Sequence, residues 1–291
     1  MSPALSRLGG ALLAVAATVL VAGCTVPAPE GAAPLRYRDL IYTESVTKNV
    51  TYGQAALADG TQQTLTMDIY QPTGETEKYR PVIIWAHGGS FAVGSSTSGD
   101  VVTLATRAAR RGYVSASINY RLLAKGVTCA GANYPDVCVN AAFAASDDLK
   151  AAVRYFRAHA EELRIDPDAI IVGGTSAGAI AAVLTAATPN SAGASGNPGF
   201  PQKVNAAISI SGGSPTNLIF GKGDAPILFW HGTADNVVPY SWATSNVEAM
   251  TDKNLIAILR NVQGAGHVPF SQYGDDMDEQ ARNFAYRVLG L

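Results

Sequence analysis

The stretch Ala169-Ile170-Ile171-Val172-Gly173-Gly174-Thr175-Ser176-Ala177-Gly178 decides how this chain is read. Its first four residues form a short apolar run, as expected of a strand buried on both faces. Its end opens an alanine-rich run to Ala187 that favours a helix, because alanine loses no side-chain entropy there. Between the two, small residues flank a serine. A turn of this kind can be sharp enough to lift the Ser176 hydroxyl clear of the sheet edge. The positive end of the next helix, and the Ala177 N–H, then lie beside that oxygen. Gly-x-Ser-x-Gly alone is also an ordinary glycine-rich turn. The strand before it and the helix after it set this one apart.

Strand and helix patterns alternate on both sides of that point. Residues 46–52 and 64–70 read as early strands, with Asp59-Gly60 as a turn signal between them. Residues 81–86 read as a buried strand, 101–111 as a helix and 113–120 as a strand. A helix follows at 147–163, where Leu149, Val153 and Phe156 recur at helical spacing before Asp166-Pro167 breaks it. Strands at 204–210, 225–230 and 255–259 and a helix at 278–289 complete the series. The rhythm predicts an α/β fold, a mainly parallel central sheet with helices on both faces. The irregular stretches 122–145 and 188–202 are either loops beside an active site or surface insertions. No internal repeat or second domain is evident.

With 291 residues, 47% hydrophobic and 15% charged, the chain suits one large globular domain. A net charge of −2 with no long Lys/Arg run argues against a nucleic-acid partner. Arg107, Arg110 and Arg111 fall at a helix end, where cations favour the helix dipole. Residues 1–23 read as a leader: Arg7 supplies the positive charge, and 12–21 an apolar run too short to span a bilayer comfortably. The leader ends Val21-Ala22-Gly23-Cys24, which resembles a bacterial lipobox, with Cys24 lipidated after cleavage. An ordinary signal peptide would leave Cys24 incidental. Residues 24–40 read as a flexible tether and 41–291 as the catalytic domain. The expectation is therefore an exported lipoprotein, anchored to a membrane through Cys24 on its extracytoplasmic side. In such an oxidising compartment Cys129 and Cys138 pair as a disulfide. Two thiols without a nearby histidine fall short of a metal site.

His87-Gly88-Gly89-Ser90-Phe91 follows the 81–86 strand. Glycines there let backbone N–H groups turn inward, towards the oxygen that becomes negative when Ser176 attacks an ester. The serine needs a base, and the chain has four histidines. His87 precedes the serine and is expected to brace the oxyanion loop. His159 lies mid-helix among charged residues and reads as surface. His231 ends a strand. His267, in Gly264-Ala265-Gly266-His267 after a strand, is the one histidine with a loop acid, Asp235, placed between it and Ser176. That matches the order nucleophile, acid, histidine. Asp235 would fix the His267 tautomer and stabilise the imidazolium. Asp224 precedes its strand and Asp252 ends a helix, which leaves Asp235 as the expected acid.

At these residues the chain, from about Thr43 to Leu291, resembles the α/β-hydrolase superfamily, and within it bacterial esterases with an H-G-G-type oxyanion loop. Leu65-Thr66-Met67-Asp68-Ile69-Tyr70, Asn119-Tyr120-Arg121-Leu122 and Ile165-Asp166-Pro167 are similar too. The resemblance implies the α/β-hydrolase fold, the triad Ser176, Asp235 and His267, and oxyanion donors at Gly89, Ser90 and Ala177. It implies a serine carboxylic ester hydrolase that works through an acyl-enzyme on short-chain or aryl esters, without cofactor. A serine peptidase or amidase, or an inactive binding module on the same fold, are the alternatives. Two positions depart from the pattern. Ser90 stands for the loop's third glycine, and Thr175 for the Glu of large carboxylesterases or the Asp of hormone-sensitive-lipase-like enzymes. The loop His231-Gly232-Thr233-Ala234-Asp235 also resembles that of feruloyl-esterase, dienelactone-hydrolase and prolyl-oligopeptidase relatives.

Overall fold

Neighbouring residues of the 81–86 run face opposite sides of one sheet. Val82, Ile84 and Ala86 enter one core and Ile83 and Trp85 the other, the two-residue period of a strand covered on both faces. A computed structural model of the protein describes residues 34–57, 59–124, 126–131, 134–214 and 220–291. The expected leader, Cys24 and most of the tether lie outside the described residues.

The elements run β1 (Glu44–Ala56), β2 (Gln62–Pro72), β3 (Arg80–Ala86), α1 (Gly99–Arg110), β4 (Val114–Ile118), α2 (Asp136–Ala158) and β5 (Ile165–Thr175). They continue with α3 (Ala177–Ala187), β6 (Ala206–Ile210), β7 (Ile227–Gly232), α4 (Tyr240–Thr251), β8 (Ala257–Val262) and α5 (Phe270–Leu289). The strands form one sheet in the order β1-β2-β4-β3-β5-β6-β7-β8. β1, β2 and β4 pair antiparallel, and β4 through β8 are parallel. This is the mainly parallel, doubly covered sheet expected from the sequence. One face is covered by α2, α3 and α4 through Leu149, Val153, Phe156, Ile180, Leu184 and Met250. The other is covered by α1 and α5 through Val101, Leu104, Met277 and Phe284. Each such side chain, fully buried, contributes roughly 1.5–3 kcal/mol. Because β3, β5, β7 and β8 are parallel, the segments that follow them gather at one edge of the sheet, where α/β folds place their sites.

Several boundaries differ from the sequence reading. α2 begins at Asp136, inside the stretch expected to be irregular, because Cys138, Ala141, Ala142 and Ala145 pack against the core. α4 was expected only as a helix ending at Asp252, without a start, and α5 starts at Phe270 rather than 278. The expected tether stops short of residue 40. Tyr37 donates its N–H to the Arg111 carbonyl (2.8 Å) and meets Tyr113 edge-on at 4.9 Å, and Arg36 pairs with Glu75 at 3.0 Å. The 188–202 stretch is fastened to β1 and α2. Arg154 donates to the Gly196 carbonyl (2.8 Å) and Asn197 to that of Tyr52 (2.6 Å). Among the described residues no helix is long and apolar enough to cross a membrane.

Arg111, just past α1, grips Asp278 of α5 with two parallel bonds of 2.8 and 2.6 Å, and both residues are buried. Removing one partner leaves an uncompensated buried charge. Asp278→Ala is expected to lower the unfolding free energy by about 3–5 kcal/mol, read as an earlier urea midpoint with an unchanged slope.

Candidate active site

The turn after β5 is as sharp as its composition demands. Ser176 has φ 52° and ψ −118°, a conformation that costs an L-residue of order 1–3 kcal/mol and persists only where its surroundings enforce it. The enforcement is visible. Ser176 N–H donates to the Ile210 carbonyl (2.9 Å), and α3 leaves immediately, its eleven residues all buried. β3 lies so close that a Cβ on Gly178 would sit 2.0 Å from the Ala86 oxygen, and one on Gly174 2.4 Å from the Gly178 carbonyl carbon. Both glycines of the motif are therefore steric requirements. Thr175 donates its hydroxyl to Asp100 in the first turn of α1 (2.6 Å).

The structure brings the three expected residues together. Ser176 Oγ lies 2.8 Å from His267 Nε2, and His267 Nδ1 lies 2.8 Å from Asp235 Oδ2. Asp235 Oδ1 accepts the N–H groups of Val237 (2.9 Å) and Val238 (3.0 Å). Burial alone would raise the Asp235 carboxyl. The hydrogen bonds from His231 and His267 outweigh it, with help from the Val237 amide, and hold the group well below the usual carboxylate range. Asp235 is thus ionised at any pH near neutrality, and the proton on His267 belongs on Nδ1. Nε2 is left to accept the serine proton.

The loops carrying the acid and the base are stitched to each other. Thr233 and Ala234 donate N–H bonds to the carbonyls of Val262 and Ala265, both 3.0 Å, and Gly264 N–H reaches Thr233 Oγ1 at 2.9 Å. Val268 N–H donates to Ser211 Oγ at 3.1 Å, which ties the base to the end of β6. Asp224 sits before β7 on the opposite edge, bonded to Gly221 N–H (2.9 Å), and Asp252 ends α4. Neither reaches His267.

In the loop after β3, Gly89, Ser90 and Phe91 all have positive φ, at 116°, 53° and 57°. Ser90 thus takes a glycine-like conformation without glycine's freedom. The buried Phe91 ring against Tyr120, and the 2.7 Å bond from Leu123 N–H to the Phe91 carbonyl, hold it there. Neither Gly89 nor Ser90 N–H donates to a group among the described residues, and Ala177 N–H, at the first position of α3, has no partner within its helix. Gly88 packs on Ser176, its imagined Cβ 3.2 Å from the serine Cβ. His87 braces this loop as expected. It stacks on Tyr120 at 4.3 Å, its Nδ1 lies 2.6 Å from the Gly88 carbonyl, and the Tyr120 hydroxyl donates to the His87 carbonyl at 2.8 Å. Burial lowers its proton affinity, so the ring is neutral and donates from Nδ1.

The family profile of BD-FAE matches residues 67–219, just over half of the 291-residue chain. The chain belongs to the BD-FAE family. It is 36% identical over 130 residues to carboxylesterase 3B of Mus musculus, across 44% of this chain and 21% of that one. It is 28% identical over 183 residues to the probable carboxylic ester hydrolase LipM of Mycobacterium tuberculosis, across 62% and 37%. The match to each of these curated relatives thus spans well under half of the relative's length. Native esterase 2 of Thermogutta terrifontis superposes with a TM-score of 0.68 at 24% identity, over 87% of this chain and 95% of that one. A truncated carbohydrate esterase from gut microbiota gives 0.64 at 21%, over 86% and 98%. These likenesses show the α/β-hydrolase fold for this BD-FAE member.

Other expectations resolve around the triad. Cys129 and Cys138 form a disulfide, with Cα atoms 5.6 Å apart. Its loop touches the acid loop, since Gly131 N–H donates to the Val237 carbonyl at 2.7 Å. The former irregular stretch 122–145 therefore borders the site. The 188–202 stretch instead lines a surface cleft of about 580 Å³ with Tyr52, Tyr155 and His159, away from the triad. His159 is half-buried and stacks on Tyr155 at 4.0 Å. Among the described residues no three of His, Cys, Asp and Glu gather to hold a metal ion. His231, passed over in the sequence as a strand end, lies 3.2 Å from Asp235 Oδ2. Its spacing of four residues from the acid was the one available signal.

Gly178→Ala drives a methyl into the Ala86 carbonyl, backbone against backbone. It is expected to cost about 3 kcal/mol of stability in urea unfolding. Gly99→Ala, where an added Cβ meets nothing within 4 Å, is expected to change it by less than about 0.5 kcal/mol.

Proposed function

We propose that this protein is a serine carboxylic ester hydrolase acting through an acyl-enzyme. The observation that carries the reading is the unbroken line from Ser176 Oγ to His267 to Asp235, with both bonds at 2.8 Å. Ser176 attacks the ester carbonyl as His267 Nε2 takes its proton, and Asp235 stabilises the imidazolium. The oxyanion is received by the N–H groups of Gly89, Ser90 and Ala177, each such donor being worth about 3–4 kcal/mol of barrier. His267 returns the proton to the leaving alcohol. Water, activated by the same histidine, then releases the acid. No cofactor enters this sequence. The esterase names borne by the relatives support ester over amide substrates. Among the described residues the connections between strands hold no helix beyond α1, α2, α3 and α4, which favours short-chain or aryl esters.

Ser176→Ala is expected to leave a folded protein whose ester turnover falls by roughly 10⁴–10⁶. A variant retaining a tenth of the wild-type rate would remove Ser176 from the mechanism. Matched ester and amide substrates separate this reading from a peptidase. Failure of a fluorophosphonate to label Ser176 would point to an inactive module.

The same proposal includes export. The leader at 1–23, with Val21-Ala22-Gly23-Cys24 at its end, supports lipidation of Cys24 and anchoring outside the cytoplasm. The Cys129–Cys138 disulfide fits an oxidising compartment. Metabolic labelling with a fatty-acid probe should mark the wild type and spare Cys24→Ser. An unlabelled wild type, or a labelled variant, would rule the anchor out.

A further inference from the structure

His231 ends β7 and is fully buried, yet the proposed hydrolytic sequence gives it no task. Its Nε2 lies 3.2 Å from Asp235 Oδ2 and 3.0 Å from the Val238 carbonyl oxygen. Both neighbours accept hydrogen bonds, so the ring proton sits on Nε2 and is shared between them. Nδ1 is buried and has no partner among the described residues. A proton there would be an N–H without an acceptor, so the surroundings favour the Nε2–H tautomer.

The groups facing this pair are few. Tyr240, at the start of α4, meets the His231 ring edge-on at 5.7 Å. His267, from the loop after β8, reaches the same oxygen of Asp235 from its other side at 2.8 Å. The remaining partners of the carboxylate are the Val237 and Val238 amides on Oδ1. Among the described residues no Lys, Arg or second carboxylate pairs with Asp235 or His231. Asp235 therefore receives four donors, two on each oxygen, and exactly one of them is the proposed base.

We infer that His231 is a positioning residue, an Nε2–H donor that fixes Asp235 Oδ2 opposite His267 and takes up part of its negative charge. Two consequences follow from the geometry. Without His231 the carboxylate keeps its Oδ1 amides but can swing Oδ2 away from His267. Its unshared charge also attracts the His267 proton more strongly, so that His267 gives up that proton only at higher pH. A side chain that merely filled space would change neither the orientation nor the pH at which activity appears.

The inference rests on the hydrolytic reading of the triad, and two measurements test it separately. Wild-type enzyme labelled with ¹⁵N-histidine should show His231 as the Nε2–H tautomer under the conditions of the activity assay. A charged ring, or a proton on Nδ1, would overturn the inference whatever the enzyme's activity. His231→Leu keeps the volume and removes the donor. His231→Gln restores an amide N–H near the place of Nε2. With a short-chain ester, H231L should lose about 10–100-fold in kcat/KM, chiefly through kcat, as expected when a charged group loses a hydrogen bond. The acid limb of its pH profile should rise by about half a pH unit. H231Q should recover most of the rate and return the limb towards the wild type. Full activity in H231L, a lowered rate with an unmoved limb, or no recovery in H231Q would each overturn it. If H231L does not fold, the wild-type tautomer and H231Q decide. If wild-type enzyme turns over no ester and Ser176 resists a fluorophosphonate, the hydrolytic reading fails, and the tautomer still decides the His231–Asp235 contact.

Discussion

Ser176 holds a left-handed backbone because the end of β3 runs directly against the turn it occupies. With the Ala86 carbonyl 2.0 Å from where a Gly178 Cβ would stand, the chain cannot round this corner with larger residues. Nor can it round it more gently, since α3 must dive into the core at once. The strain at Ser176 is offset by burial of α3, whose alanines, isoleucine, valine and leucine all lose contact with water. A hydroxyl mounted on such a turn projects from the sheet edge with few rotational choices, and a positioned nucleophile needs that restriction. The same close approach sets Gly88 against Ser176. One steric contact between the end of β3 and the first turn of α3 therefore locates both Ser176 and the glycine loop beside it.

The polar half of the site follows a different logic. Its precision comes from hydrogen bonds that leave each loop little alternative. A buried carboxylate is costly unless its lone pairs are met, and here all four donors to Asp235 come from within the fold. The lowered pKa that results also bears on stability. A carboxyl whose folded value lies below its unfolded one stabilises the protein above about pH 4. That contribution is lost as the pH falls further. The acid that orients His267 thus also helps hold its own loop in place, under the same conditions that keep it ionised.

What the sequence made legible was whatever depended on local chemistry. The strand–serine–helix run, the glycines around it, the acid in a loop after one strand and the histidine in a loop after the next each carry a pattern within a few residues. What it concealed depended on tertiary partners. The first turns of α2 bury small alanines and leave Val137 and Phe143 exposed, so no apolar stripe announces them. α4 buries Ala243, Asn246 and Met250, and the polar Asn246 in the middle of that row breaks the apolar stripe that would have marked where the helix begins. Gly274 interrupts the pattern of α5, yet it packs against the Phe270 ring of its own helix. Residues 34–40 look like linker because their partners Arg111 and Tyr113 lie some seventy positions on. His231 was hidden in the same way. A histidine at a strand end reads as core until the loop beyond it is seen to fold back.

That fold-back explains why so short an acid loop can be rigid without secondary structure. Every backbone group of Val237 and Val238 is engaged. The Val237 N–H and Val238 N–H hold Asp235 Oδ1, the Val238 carbonyl receives His231, and the Val237 carbonyl receives Gly131. The last of these bonds comes from the loop closed by Cys129 and Cys138. In the chain-entropy model a crosslink over so few residues adds roughly 2–3 kcal/mol, and here its placement matters more than that figure. It limits the positions open to Gly131, and through Val237 it limits those open to the carboxylate. Tyr134, from the same stretch, packs edge-on against Trp242 of α4 at 5.1 Å, so the segment following the acid is clasped as well. The disulfide loop, α4 and His231 thus close on Asp235 from separate parts of the chain. The 2.8 Å line to Ser176 depends on that enclosure as much as on the three residues that form it.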